Sequence, residues 1–131
     1  MSGYLVDTSI FIAAEQRRSL GPPPPGEARI SVATVTELGV GARMAANAKL
    51  QQLREATLAA ARRFVALPYD ESVADRLADL LAAARAERRR AGAMDAIIAA
   101  TALVHDLEIW THDDDFDVLA VLAPKLKIRR G

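Results

Sequence analysis

The sequence predicts an α/β domain in which a parallel sheet carries helices on both faces. Short apolar or β-branched runs alternate with helix-favouring stretches from one end of the chain to the other, the pattern of strands joined by crossover helices. The first of these runs ends in Asp, Thr and Ser, residues that turn the chain and cap helices. The chain has 131 residues, the size of one ordinary domain, so residues 1–131 are read as one domain around one core.

Tyr4, Leu5 and Val6 form an apolar run that meets Asp7, Thr8 and Ser9, which reads as a buried strand ending in a polar loop. Residues 10–18, IFIAAEQRR, read as a short helix closed by Gly21 and the prolines at 22–25. Prolines cannot continue a helix, so that run is expected to be an extended surface connection. The β-branched run at residues 30–32 is a second strand feeding a helix with Glu37 in its early turns. A long amphipathic helix lies within residues 48–70, followed by FVALP, residues 64–68, as a third buried strand. Asp70 and Glu71 open the next helix, in which Val73, Leu77, Leu80, Leu81 and Ala84 make one apolar face and which is expected to end near Gly92. Residues 93–107, AMDAIIAATALVHDL, are apolar nearly all round, which predicts a helix buried on most sides, with Asp95 in its first turn. EIWT, residues 108–111, is a fourth strand, residues 113–122 a loop and short helix, and KLKIRR, residues 125–130, a final edge strand.

Composition narrows the function classes. Lys plus Arg equals Asp plus Glu at 17 each, so total charge points to neither nucleic acid nor an anionic membrane, and only the distribution of charge is informative. The absence of cysteine removes disulfides, thiolate nucleophiles and Cys-based zinc sites. The start, MSGYLVDTS, lacks the basic and apolar regions of a secretory signal, and no stretch is long and apolar enough to span a membrane. The expectation is a cytoplasmic protein with no membrane partner.

The acids are the informative residues. Asp7 ends the first strand, residues 113–115 are three consecutive aspartates after the fourth, and Glu37 and Asp95 lie early in helices that start at the same edge. In an open parallel sheet, ligands collect outside the carboxyl ends of the strands. Carboxylates gathered within about 4 Å repel by roughly 4 kcal/mol per pair at an effective dielectric near 20. Such a cluster needs protons, basic partners or a bound cation. With no Cys, the donors are hard oxygens, suited to Mg²⁺ or Mn²⁺. Such an ion activates water and stabilises charge on a phosphodiester, which is nuclease chemistry. No GxxxxGK[ST] loop and no nucleophile elbow is present. Each acid also has a plainer reading: Asp7 as a helix N-cap, Glu37 and Asp95 as early-turn residues favoured by the helix dipole. His105 and His112 are read as structural or solvated and are left out of the chemistry.

These residues resemble the PIN domain, and within it the VapC-type toxins of bacterial toxin–antitoxin pairs. The resemblance runs through YLVDTSIFI, then SVATVTELGVGA with Glu37, Leu38 and Gly41, then MDAIIAATALVHDLEIWTHDDDF, in which an Asp opens an Ala-rich helix and Thr111 precedes an acid by two residues. It implies a three-layer α/β/α sandwich with a mostly parallel central sheet and a Mg²⁺-dependent endoribonuclease (Mn²⁺ as an alternative ion). It further implies inhibition by a cognate VapB-type antitoxin and a homodimer. Asp7, Glu37, Asp95 and Asp113 become the catalytic and metal-binding acids, with Asp115 a fifth metal ligand, and Ser9 and Thr111 orient them by hydrogen bonds. Asp114 and Asp117 are left to solvent or helix capping. The proline run departs from the family pattern.

An RNA substrate needs a positive track. Arg85, Arg88, Arg89 and Arg90 stand before the Asp95 helix, with Arg17, Arg18, Arg43 and residues 125–130 as further positions; each also reads as a solvated helix end. Two other functions fit parts of the pattern. An inactive PIN-like binding module would not need all four acids. A phosphoacceptor receiver domain expects an acid pair after the first strand and an Asp after a central one, which this sequence lacks. An apolar groove for the antitoxin is implied by the resemblance alone, because Phe11, Ile12, Leu38, Val40 and Met44 read, residue for residue, as core.

Overall fold

A computed structural model describes residues 3–131. Five strands, β1 (Gly3–Val6), β2 (Glu27–Ser31), β3 (Val65–Leu67), β4 (Glu108–Thr111) and β5 (Ile128–Arg130), form one sheet in the order β3-β2-β1-β4-β5. Every pairing is parallel. The helices are α1 (Thr8–Glu15), α2 (Val32–Arg43), α3 (Ala48–Ala61), α4 (Glu71–Ala86), α5 (Ala93–His105) and α6 (Asp117–Leu122). Among the described residues no helix is long and apolar enough to cross a membrane.

The alternation of strand side chains sorts the core into two layers. Leu5 and Ile109 point into a cluster with Val73, Leu80, Ile98 and Phe116, drawn from α4, α5 and the loop before α6. Val6 points to the other side, with Ile10, Leu38 and Leu58 from α1, α2 and α3, and Tyr4 and Trp110 pack against that cluster. The two rings stack edge-on at 6.0 Å between centroids. Helix α5 carries six fully buried residues, from Ala96 to Ala102, as expected for a helix apolar nearly all round.

Several boundaries differ from the sequence expectation. Helix α1 begins at Thr8 because Asp7 caps it, and it stops at Glu15 because Arg17 adopts a left-handed φ of 56°. Strand β2 ends at Ser31, whose side chain caps α2, so Val32 belongs to the helix. Helix α4 ends at Ala86, six residues short of Gly92. There Arg88 turns left-handed (φ 55°), and the Arg88 and Arg89 amides reach back to the carbonyls of Arg85 and Ala84, a Schellman closure without glycine. Strand β3 is an exposed edge and not a buried strand, with Val65 56% accessible. Residues 22–25 are non-helical as expected, although Pro24 is buried.

Of the five apolar residues read as core, Leu38 is buried and Phe11 is partly buried against Phe64. Ile12, Val40 and Met44 are exposed, Met44 at 75%. Neither helical spacing nor hydrophobicity reveals that, among the described residues, these three side chains of α1 and α2 are left uncovered.

Phe116, 1% accessible, pins the loop after β4 into the core beneath the acids. Phe116→Ala is expected to lower unfolding free energy by about 3–5 kcal/mol in urea titration. A loss below about 1 kcal/mol would mean that the loop is held by something else.

Candidate active site

The register of the central strands assembles the site. Val6 of β1 lies opposite Trp110 of β4, so Asp7, just past β1, stands beside Thr111, the last residue of β4, and the Asp7 amide donates to the Trp110 carbonyl at 2.9 Å. The chain then runs towards β2 on one side and β5 on the other. The β1/β4 boundary is therefore the point where the direction of winding reverses, and a crevice opens at the carboxyl ends of the strands.

Asp7 is almost fully buried, and three donors converge on its Oδ2: the Ser9 hydroxyl at 2.6 Å, the Thr111 hydroxyl at 2.9 Å and the Ser9 amide at 3.3 Å. The amide bond is the N-cap interaction of α1, so the capping and functional readings of Asp7 both hold in geometry. Among the described residues Oδ1 accepts no hydrogen bond. One carboxylate oxygen is thus saturated and its twin left open. The network continues into the loop. His112 N–H donates to Ser9 Oγ at 2.9 Å, Asp113 N–H to Thr111 Oγ1 at 3.4 Å, and Asp115 N–H to Asp113 Oδ1 at 3.1 Å. The Ser9 hydroxyl donates inward to Asp7 and accepts from the loop, while the single Thr111 proton lies between Asp7 Oδ2 at 2.9 Å and Asp113 Oδ1 at 3.3 Å and so links the two acids.

Glu37 projects from the second turn of α2. Thr8 Oγ1 lies 2.7 Å from Glu37 Oε1 and 3.0 Å from Thr34 Oγ1. A carboxylate can only accept, so the Thr8 proton goes to Glu37. Asp95 extends from the first turn of α5 with no hydrogen bond recorded to its side chain among the described residues.

Electrostatics ties these acids into one group. Burial pushes the Asp7 carboxyl up, against the pull of the Ser9 and Thr111 hydroxyls, and Asp113 raises it further. Glu37 is raised by burial, opposed by Thr8 and reinforced by the charges of Asp7, Asp113 and Asp115. Asp95 is pushed up to about 7, first by burial and then by Asp7, Asp115, Glu37 and Asp113. Asp115 is raised by burial and by Asp113. The four ion pairs found among the described residues all lie elsewhere, so none of the five acids has a Lys or Arg partner.

This all-oxygen, net-negative set has the donor chemistry of a Mg²⁺ or Mn²⁺ site. Its side chains stand apart, however: among the described residues no three or more Asp, Glu or His groups are drawn together tightly enough to hold a metal ion. The fit lies in donor type, in the open Asp7 oxygen and in uncompensated charge, and not in a closed coordination sphere.

The remaining residues separate clearly. Asp114 is exposed, as expected. Asp117 is exposed in the first turn of α6, as expected, and also forms a two-oxygen pair with Arg130 at 2.8 and 3.0 Å. Arg129 pairs with Glu108 at 3.3 Å, so the two arginines of the 125–130 stretch are engaged within the fold. Arg43 donates to the Gly39 carbonyl at 3.0 Å. Arg85, Arg88, Arg89 and Arg90 are exposed at the end of α4 and the start of the connection to α5. Thr8 and Thr34 were missed by sequence reasoning. The one available signal was Thr8 beside Asp7 at a helix start, which is indistinguishable from ordinary capping chemistry. A receiver-type site is absent among the described residues, since β2 ends in Ser31 and β3 in Leu67.

The raised carboxyls make stability depend on pH. A folded-state pKa above the unfolded one means that the native state holds more protons, so stability falls as pH rises between the ordinary carboxylate range and about 7 for Asp95. Metal-free protein should therefore show a lower urea midpoint at about pH 8 than at about pH 5.5, and Asp95→Asn should raise the pH 8 midpoint and flatten the difference. An unchanged pH dependence in Asp95→Asn would show that Asp95 does not carry this charge burden.

Comparison with known proteins agrees with this arrangement. A profile of the PIN domain matches residues 4–122. Ribonuclease VapC4 of Mycobacterium tuberculosis is 37% identical over 113 residues, covering 86% of this chain and 87% of that protein. Ribonuclease VapC5 of the same organism is 36% identical over 116 residues, covering 88% and 86%. Among solved structures, VapBC-5 from M. tuberculosis, a member of the VapBC family of toxin–antitoxin systems, superposes with a TM-score of 0.85 at 32% identity over 100% of both chains. VapBC2 from Rickettsia felis shares the fold at a TM-score of 0.78 and 16% identity over 98% of each chain. With its five parallel strands, its acids at the β1/β4 crevice and these relatives, the chain belongs to the PIN-domain family, on its VapC branch.

Proposed function

We propose that this protein is a Mg²⁺-dependent endoribonuclease and the toxin of a VapBC-type toxin–antitoxin pair. The observation that carries the reading is the placement of Asp7, Glu37, Asp95 and Asp113 at one sheet edge with no basic counterpart, where burial and neighbouring acids raise the carboxyls of Asp7, Glu37 and Asp95. The ribonuclease names of the relatives point the same way.

Asp7, Asp95 and Asp113 would hold the cation, with Glu37 completing the set and Asp115 within reach of the same field. When bound, Mg²⁺ would lower the pKa of a coordinated water and stabilise charge on the phosphate oxygens. The protein's own share is positional. Ser9 and Thr111 saturate Asp7 Oδ2 and so aim Oδ1 into the crevice. Thr8 holds Glu37, leaving its second oxygen to accept a proton from water. The exposed Arg85, Arg88, Arg89 and Arg90 supply positive charge beside the α5 entry for an RNA backbone.

The exposed Ile12, Val40 and Met44 support an antitoxin partner, because an uncovered apolar surface on α1 and α2 fits helix-in-groove docking. A cleft of about 190 Å³ between α1 and α2 is lined by Ile12, Leu38, Gly41 and Arg54 and reaches Glu37, so a partner seated there would lie against that acid. Homodimerisation fits the VapC branch and is included in the reading.

Purified protein freed of any partner should cleave total RNA with Mg²⁺ and stop with a chelator. Asp7→Asn and Asp95→Asn should each lose more than the ~10–100-fold typical of partners that orient ligands. Cleavage that persists through both substitutions and the chelator would rule out the metal mechanism. Thr8→Val should cost about 10–100-fold, since it frees Glu37 without removing it. Full activity in Thr8→Val, assayed on the same RNA, would remove Glu37 orientation from the mechanism.

A further inference from the structure

His112 stands between Thr111 and Asp113 and is used by nothing in the chemistry above. Its ring Nδ1 lies 2.9 Å from the main-chain oxygen of Gly131. That oxygen can only accept, so Nδ1 carries the proton. Gly131 answers with its own amide, which donates to the Thr111 carbonyl at 2.7 Å. The segments 111–112 and 131 therefore clasp each other through two bonds of opposite sense. The His112 amide meanwhile donates to Ser9 Oγ, the hydroxyl that holds Asp7.

Only glycine fits the far side of the clasp. A Cβ built on Gly131 would collide with the Trp110 indole and stand 2.9 Å from Ile10 Cδ1. The indole Nε1 on that side is itself buried with no hydrogen-bond partner among the described residues. Gly21, in the connection after α1, closes the outer side, its Cβ position 3.5 Å from the Arg130 carbonyl. The residue that follows β5 thus ties that strand to the acidic loop, one position beyond its register with β4.

The geometry points to His112 as a positioning residue for the hydrolytic site, acting through Gly131. The clasp fixes the backbone at 112, and that backbone sets where Asp113 leaves the sheet edge and whether Ser9 stays on Asp7. A bond at each end of one residue constrains both acids together. This inference rests on Asp7 and Asp113 serving the proposed ribonuclease, and its test separates the two.

The variants are His112→Leu, which keeps bulk and loses the donor, His112→Asn, which returns a donor near the Nδ1 position, and Gly131→Ala, which crowds the other side. His112→Leu and Gly131→Ala should lower kcat about 10–100-fold with KM for an RNA oligonucleotide unchanged, and His112→Asn should recover most of the loss. In metal-free protein, hydrogen exchange of the His112 and Asp113 amides should quicken by at least about tenfold in His112→Leu, while the α5 amides stay as protected as in wild type. Unchanged kcat, or exchange that quickens equally throughout the core, would overturn the positioning role. Wild-type protein that fails to cleave RNA would instead overturn the proposed function, and the exchange result would still report on the clasp.

Discussion

The parallel pairing of β1 with β4 is the contact on which the rest of the site depends. It brings together residues about a hundred positions apart and sets Asp7 beside Thr111 at the one boundary where the sheet changes its winding direction. Every hydrogen bond between Asp7, Ser9 and the loop after β4 presupposes that register. A slip by one residue would turn Leu5 and Ile109 out of one core layer and Val6 out of the other. Core packing and site geometry are thus secured by the same constraint, and the site needs no separate device to hold its two halves in line.

Burial and charge work against each other in this crevice. The sheet edge removes water from Asp7 and part of the water from Glu37 and Asp95, and the acids then raise one another. The hydroxyls of Thr8, Ser9 and Thr111 return some of the lost stabilisation, yet the carboxyls of Asp7 and Glu37 still lie above their ordinary range. A fold that tolerates this strain without recruiting a single arginine keeps its negative field available for something outside the chain.

The strand–helix alternation was legible because each element carries its own period. The positions of Asp7, Glu37, Asp95 and Asp113 at strand ends and helix starts were legible for the same reason. What was hidden depends on who neighbours whom. The order of strands is absent from local pattern, so FVALP read as buried although β3 lies at an edge. Arg88 ends α4 in a left-handed turn that glycine usually marks, so the helix read as longer. Thr8 pairs with Glu37 across 29 positions, and His112 with Gly131 across 19, and neither link leaves a trace in spacing or composition. The exposure of Ile12, Val40 and Met44 was hidden too, because exposed apolar residues at helical spacing look like residues meant for the core.

The length of chain between β1 and β4 also governs when the site can exist. Tyr4 pairs with Glu108, and closing so long a loop is slow and yields nothing until most of the chain is present. During synthesis the amino-terminal Asp7 emerges first and waits without Thr111, Asp113 or the α5 acid. A chain released early, or cut before β4, presents a capped helix and no acidic crevice. Formation of the crevice thus waits on the β4 segment, because Asp7 acquires its Thr111 donor only when β1 and β4 are paired.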